Sequence, residues 1–326
     1  MNPRVSVVTA SRNETAMLVM TAISVREALA ADGLEGEFFV VDNSDPQIHR
    51  AVQDVMHGQV KSHHARIVHE PTPSLAKAVD RAHREALHDI VFYIDAHCLI
   101  APGTLRAIVD FYQRHAGERI GFVHAPIQWA HRSDATRMTH FGFADSPLGS
   151  WAGGGLVTHE QKVTWKGMPH AIQKSVYADI GGLGCMAQHR LGWSIMRYLG
   201  IRPWVLGYQN WAIPHGTVYH FGEWPASAKK HAIYRHYQNS GPAVGAGLPL
   251  TAYVYADEAY LRSTYEASGM AQHFKDIDHA LATAKQYGTA DRTDLQSRAT
   301  FRSLPDLLAS PPWTIQPNKV NLPSTN

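Results

Sequence analysis

The sequence predicts an α/β protein: a mostly parallel, doubly wound sheet flanked by helices, followed by a C-terminal helical extension. Three observations carry this. Short apolar runs rich in β-branched and aromatic residues recur along the first third of the chain. Helical patterns, with apolar positions three and four apart, separate them. Most runs stop at a polar or acidic cluster, as strands do at the edge of an open sheet.

The elements follow in order. Val5-Ser-Val-Val-Thr-Ala reads as a first strand, Ser11-Arg-Asn-Glu as the loop after it, and residues 14 to 31 as a helix. Gly36-Glu-Phe-Phe-Val-Val-Asp-Asn-Ser-Asp is a second strand ending in acids, and Ala65-Arg-Ile-Val-His a short third. SLAKAVDRAHREALH, residues 74 to 88, predicts a helix with Ser74 as N-cap. The strand "DIVFYID" comes next and ends at Asp95.

From about residue 120 the pattern loosens, and "WAGGG" at 151 to 155 marks a turn or loop. "PHAIQKSVYADIGGLG" predicts a short strand, a helix and a stop at Gly181-Gly182. A further helix over roughly 188 to 200 leads to "WVLGY" and "GTVYHFGEW". Residues 1 to 225 are expected to form one domain, and 226 to 326 an extension with a Gly/Pro-rich loop at 241 to 249, polar helices and an extended tail from Pro311.

Composition excludes several classes. With 44% hydrophobic and 18% charged residues, the 326-residue chain is globular rather than disordered. A net charge of +2 provides no global field toward nucleic acid or membrane. Two cysteines, Cys98 and Cys185, imply no disulfide framework and are expected to be small core residues in a reducing compartment. The start carries no secretory pattern, and no stretch nears the roughly 20 apolar residues that span a bilayer. The expected compartment is the cytoplasm. Oligomeric state is not expressed in the pattern.

"FYIDAHC" is the most informative stretch. Asp95 and His97 lie at or just past a strand's carboxyl end, where open α/β sheets bind their ligands. An acid and an imidazole one residue apart suit a divalent cation such as Mn²⁺ or Mg²⁺, the former accepting nitrogen more readily. The alternative is a polar strand terminus, with Asp95 capping a turn.

Four segments in this order, "VSVVTASRNE", "FFVVDNSD", "LAKAVDRAHREALHDIVFYIDAH" and "HAIQKSVYADIGG" leading to "VYHFG", resemble the nucleotide-sugar-dependent glycosyltransferases of the GT-A fold, family 2 in particular. The "FYIDAHC" motif is similar to that of the polypeptide N-acetylgalactosaminyltransferases. The resemblance spans about residues 3 to 224 and implies a hexosyltransferase-type enzyme moving a sugar from a nucleotide diphosphate, a UDP-sugar first, to an acceptor hydroxyl. It further implies that Asp95, His97 and His220 ligate Mn²⁺ or Mg²⁺, with His215 a rival to His220. Asp95 then also serves the catalytic step through the metal and diphosphate. Asp42 would hydrogen-bond the nucleobase, with a solvated turn acid as the alternative. Thr9, Arg12 and Glu14 fall where the family wraps the nucleoside, although Glu14 also suits a helix start. Lys77 would neutralise the diphosphate as a point charge, or simply be solvated.

The sequence departs from the family in one place. Where an acid pair is expected after the Gly-Gly stop stands Arg190-Leu191, so neighbouring His189 is the candidate general base, imidazole being suited to neutral pH. Asp179 and Glu160 are other acids in this half. The segment "SAKKHAIYRHYQNSG", with Lys229, Lys230 and Arg235 among Tyr234 and Tyr237, could close over the donor diphosphate, form a solvated helix, or track nucleic acid. The expected acceptor is a saccharide, with a hydroxylated DNA or RNA base as the minority reading. The competing functions are a sugar-nucleotide-binding protein without transfer activity and a nucleotidyltransferase. The absence of glycine from "TASRNET" disfavours the latter.

Overall fold

The computed structural model describes residues 3–59, 65–130, 157–163, 168–189, 195–221, 247–266, 270–272 and 274–309. The "WAGGG" loop, Arg190-Leu191, the segment holding Lys229, Lys230 and Arg235, and the tail from Pro311 lie outside the described residues.

Strand and helix alternate first as β1 (Arg4–Ser11), α1 (Thr15–Ala31), β2 (Glu35–Asp42), α2 (Pro46–Gln59), β3 (Ala65–His69), α3 (Leu75–Glu85) and β4 (Ile90–Tyr93). Then come β5 (Cys98–Ile100), α4 (Thr104–Arg114), β6 (Ile120–His124), β7 (Ile127–Trp129), β8 (Gln161–Val163) and β9 (His170–Gln173). Short helices α5 (Lys174–Asp179) and α6 (Cys185–Gln188) precede α7 (Ile195–Val205), β10 (Gln209–Ala212) and β11 (Val218–His220). The described C-terminal helices are α8 (Gly247–Tyr255), α9 (Glu258–Thr264), α10 (Ile277–Ser297) and α11 (Leu304–Ala309).

Eight strands form the main sheet in the order β3-β2-β1-β4-β9-β6-β10-β8. Strands β1 to β4 pair in parallel, whereas β9 runs antiparallel to both β4 and β6, and β8 to β10. The parallel half carries near-continuous apolar runs because both its faces are covered. Val8, Ala10, Phe39, Val41, Val91 and Tyr93 point into one core, beneath α3. Val5, Val7, Phe38, Val40, Phe92 and Ile94 point into the other, beneath α1 and α4. Gly36 allows α1 to approach, since a Cβ there would meet the Val5 carbonyl and Leu29.

Local signals held at α3, where the Ser74 hydroxyl accepts from the Lys77 amide at 3.2 Å. They held also at the Gly181-Gly182 stop, where φ is 77° and 58°, and at Cys98 and Cys185, both buried. Two expectations are corrected. The helix read over 188 to 200 is two pieces, α6 and α7, with α7 running on to Val205 through Pro203. The end of the Gly/Pro-rich loop is also helical, Gly247-Leu-Pro-Leu opening α8. Proline is tolerated there because first-turn amides have no partner within the helix.

The C-terminal helices share the α3-side core rather than forming a separate one: Leu250, Val254, Leu281 and Leu295 are buried with Tyr198, Leu199 and Val8. A buried ion pair fixes this packing. Arg202 of α7 donates to Asp291 of α10 at 2.9 Å and to Ile180 O. Asp291 also accepts from the Cys185 amide at 3.0 Å and from the Tyr198 hydroxyl. Gly184, at φ 48°, leaves room for this, because a Cβ there would strike the Asp291 carboxylate.

Burial pushes the Asp291 carboxyl up, but the Arg202 charge and hydrogen bond, with the Tyr198 hydroxyl and Cys185 amide, hold it below the ordinary value. The folded state therefore binds this proton less tightly than the unfolded chain. The stabilisation is complete above roughly pH 4 and is lost as pH falls through the lowered folded-state value. Asp291→Ala leaves the Arg202 charge buried without its carboxylate and should cost about 3–5 kcal/mol in urea unfolding, whereas the double variant Asp291→Leu/Arg202→Met should recover most of it. The loss for the single variant should shrink as pH is lowered toward 3.

Candidate metal and nucleotide site

Asp95 and His97 sit in the turn just past β4, and His220 ends β11. The second sheet, β5-β11-β7, brings them together. In it His220 pairs opposite Cys98, and the Phe221 amide donates to the His97 carbonyl at 3.1 Å. His97 Nε2 lies 3.1 Å from His220 Nε2, which is 3.4 Å from Asp95 Oδ2, and the Asp95–His97 edge is 3.8 Å. For bonds of about 2.1 Å, adjacent ligand atoms around one ion stand roughly 3.0–3.4 Å apart. Two imidazole nitrogens and a carboxylate oxygen thus converge on a triangle of the size one divalent cation spans. Among the described residues, this is the group of three or more His, Cys, Asp or Glu side chains close enough to hold a metal. His215, the rival, instead lines a separate surface pocket with Arg106, Arg114 and Glu160.

The surroundings of Asp95 favour its charged form. Burial raises its carboxyl, but the His220 hydrogen bond, the charges of His97 and His220, and the Tyr93 hydroxyl at 3.4 Å bring it below the ordinary value. Tyr93 is itself wedged between His83 and His170, with ring centroids 5.6 and 5.3 Å away. His83 donates Nδ1–H to the Val79 carbonyl at 2.8 Å, and full burial lowers its imidazole to about 4, so it stays neutral. The floor beneath Asp95 is thus a packed aromatic stack, invisible to a reading of strand ends.

The β1–α1 loop lies beside the cluster. Glu14 accepts from His97 Nδ1 at 2.5 Å, so its carboxylate is directed at the imidazole rather than outward to a nucleoside. Arg12, buried, donates to the Asn43 carbonyl at 2.5 Å and reaches Asp45 at 3.5 Å. Thr9 is buried in β1.

Asp42 has no exposed surface. One oxygen accepts from the Ser44 hydroxyl at 2.7 Å, and the other faces His49 Nδ1 at 2.7 Å. The carboxylate organises the turn after β2, and direct contact with a nucleobase would need a surface it does not present. Lys77, half-exposed, pairs with Glu70 at 2.8 Å. Burial raises the Glu70 carboxyl, but the hydrogen bond from Lys77, the Thr72 amide and the charges of Lys77 and Arg81 lower it further. Lys77 is therefore shared with a neighbouring carboxylate, not held as a lone charge for phosphate.

The candidate bases are dispersed. The His189 ring packs 5.1 Å from Tyr287 of α10, and among the described residues no hydrogen bond or ion pair joins it to the Asp95 cluster. Asp179 accepts from the Tyr208 hydroxyl at 2.6 Å, and Glu160 bonds His115 at 3.0 Å and Arg114. Arg235 lies outside the described residues.

Residues 6–157 match the family model described as Glycosyl transferase family 2. No curated protein matches the sequence significantly. A crystal structure of GalNAc-T7 with UDP, GalNAc and Mn²⁺ superimposes with a TM-score of 0.65 at 15% identity, over 95% of this chain and 56% of that one. S. aureus TarS 1-349 in complex with UDP-GlcNAc superimposes with a TM-score of 0.53 at 11% identity, over 91% of this chain and 76% of that one. At such identities the likeness is one of fold, and the chain spans only a little over half the length of GalNAc-T7. The strand order, the family match and the superpositions agree: residues 6–157 match the model of glycosyl transferase family 2, and the chain has the GT-A fold.

Proposed function

We propose that the protein transfers a sugar from a UDP-sugar to an acceptor hydroxyl with the aid of Mn²⁺ or Mg²⁺. The observation that carries this reading is the convergence of Asp95 Oδ2 with Nε2 of His97 and His220 at the ligand edge of a GT-A sheet. A bound divalent cation supplies Lewis-acid neutralisation of the departing nucleoside diphosphate. Three protein ligands leave coordination positions open, as catalytic sites require.

The protein's own residues do the remaining work. Asp95, held ionised, offers a charged oxygen, and Tyr93 fixes its orientation from below. Thr9 near the end of β1, and Arg12 through its bonds to Asn43 and Asp45, hold the β1–α1 loop on the side assigned to the nucleoside. His189 stays the candidate base by its place in the sequence alone, since its ring packs on Tyr287 and no described contact joins it to the Asp95 cluster. The acceptor is taken to be a saccharide, the ordinary choice for this fold. Among the described residues no helix is long and apolar enough to cross a membrane. A second reading, binding of a sugar nucleotide without transfer, is favoured by Arg190-Leu191 standing where an acid pair is expected.

The test is release of UDP from a panel of UDP-sugars, with Mn²⁺ titrated and saccharide acceptors present. Asp95→Ala and His97→Ala should each lower the rate by about 10²–10³, equivalent to several kcal/mol of lost transition-state stabilisation. Undiminished rates in both variants, or full activity in excess chelator, would refute the metal assignment. Tight UDP-sugar binding with no turnover on any acceptor would favour the second reading.

Asp42 gives a separate measurement. Asp42→Ala removes the acceptor for His49 and Ser44 inside a closed turn, and should lower stability by about 1–3 kcal/mol in chemical denaturation. UDP affinity of the folded variant, by titration calorimetry, should stay within about twofold, because the carboxylate does not reach the surface. An unchanged denaturation midpoint with a tenfold loss of UDP affinity would restore Asp42 to the nucleobase.

A further inference from the structure

Glu14 opens α1 as its N-cap residue, yet its side chain makes no capping hydrogen bond. The carboxylate turns instead to His97 Nδ1 at 2.5 Å. The loop that carries it is held from several sides. Asn13 adopts φ 58°, the left-handed region that asparagine tolerates better than most residues. Its amide donates to the Ser44 hydroxyl at 2.8 Å, and that hydroxyl donates to Asp42. Arg12 ties the same loop to Asn43 and Asp45. The unusual backbone angle is thus supported by contacts to the next strand, and its product is a carboxylate aimed at an imidazole 83 positions along the chain.

The consequence lies on the opposite side of the ring. A neutral imidazole carries one N–H, and an acceptor at Nδ1 draws it there, leaving the Nε2 lone pair available. In His97, Nε2 is the atom 3.1 Å from His220 Nε2 and 3.8 Å from Asp95 Oδ2. We propose that Glu14 is a positioning residue for His97, fixing its tautomer and ring plane so that Nε2 is presented to a divalent cation. This rests on the metal-dependent reading above, and removes Glu14 from direct contact with the nucleoside. It also links the two halves of the site: the chain His49, Asp42, Ser44, Asn13, Glu14, His97 runs from the turn after β2 to the cation ligands.

The experiment compares the full chain with Glu14→Ala and Glu14→Gln. Mn²⁺ affinity is read from the electron paramagnetic resonance signal of free Mn²⁺, with and without UDP. The His97 tautomer is read in the metal-free protein from long-range ¹H–¹⁵N correlations. Glu14→Ala should weaken Mn²⁺ about 10–100-fold, the usual range when a carboxylate behind a histidine ligand is removed. His97 should then lose its fixed Nδ1–H state. Glu14→Gln, whose side-chain oxygen still accepts from Nδ1–H, should keep the tautomer and recover most of the affinity.

Wild-type Mn²⁺ affinity and tautomer in Glu14→Ala would overturn the proposal, as would a loss that glutamine fails to recover while the tautomer is unmoved. Should Glu14→Ala not fold, an Nε2–H tautomer in the wild-type protein overturns it equally. A wild-type protein that binds no Mn²⁺, with or without UDP, refutes the metal reading instead. The tautomer measured in Glu14→Gln and Glu14→Ala then decides by itself whether Glu14 sets the ring.

Discussion

The antiparallel pairing of Val218–His220 with Cys98–Ile100 is the constraint on which the site depends. Asp95 and His97 are neighbours by sequence, but two adjacent side chains do not make an ion site. The third candidate, His220, arrives across 123 positions because three residues of β11 lie in register against β5 and β7. A shift of one residue would turn His220 to the opposite face and put Tyr219, which is partly exposed, in its place. Burial of Cys98, Ile100 and Val218 in the α1–α4 core specifies that register. A small sheet of short strands therefore does for the candidate cluster what the large sheet does for the fold.

The Asp95–His97–His220 cluster brings together groups that prefer to be apart. A carboxylate and two imidazole nitrogens facing one another satisfy their lone pairs by sharing a proton or a cation. The surroundings keep them in place. Tyr93 bonds Asp95 from below, and Glu14 holds His97 from behind. Tyr93 is in turn fixed by two buried histidine rings. Asp95 and His97 thus each have a support outside the triangle, an arrangement that would keep the geometry of an ion site before its occupant arrives.

The C-terminal helices belong to this architecture energetically. Asp291 ties α10 to Arg202, to Tyr198 and to the amide that opens α6, the helix ending at His189. Side chains from α8, α10 and α11 are buried in the same cluster as β1 and β4 residues, so the boundary expected near residue 225 is not a break in the core.

Much of the fold was legible along the chain. β1, β2 and β4 carry continuous apolar runs because both faces are covered, and α3 announces itself through Ser74 and its amphipathic spacing. Asp95 and His97 could be picked out as candidates because a local rule, ligands at strand carboxyl ends, applies within one segment. Antiparallel β9, inserted between β4 and β6, was not, since the order of strands in a sheet is a long-range property. Nor were the three-residue strands of the second sheet, too short to show a period. The same limit governs the side chains. By itself the sequence determined the residue types offered at the strand ends and most of the elements that carry them. Tertiary structure alone decided that Glu14 turns to His97, that Asp42 is closed off by Ser44 and His49, and that Lys77 is engaged by Glu70. The reason is physical: which acceptor a charged side chain finds is set by distances across strands, and sequence spacing does not encode those distances.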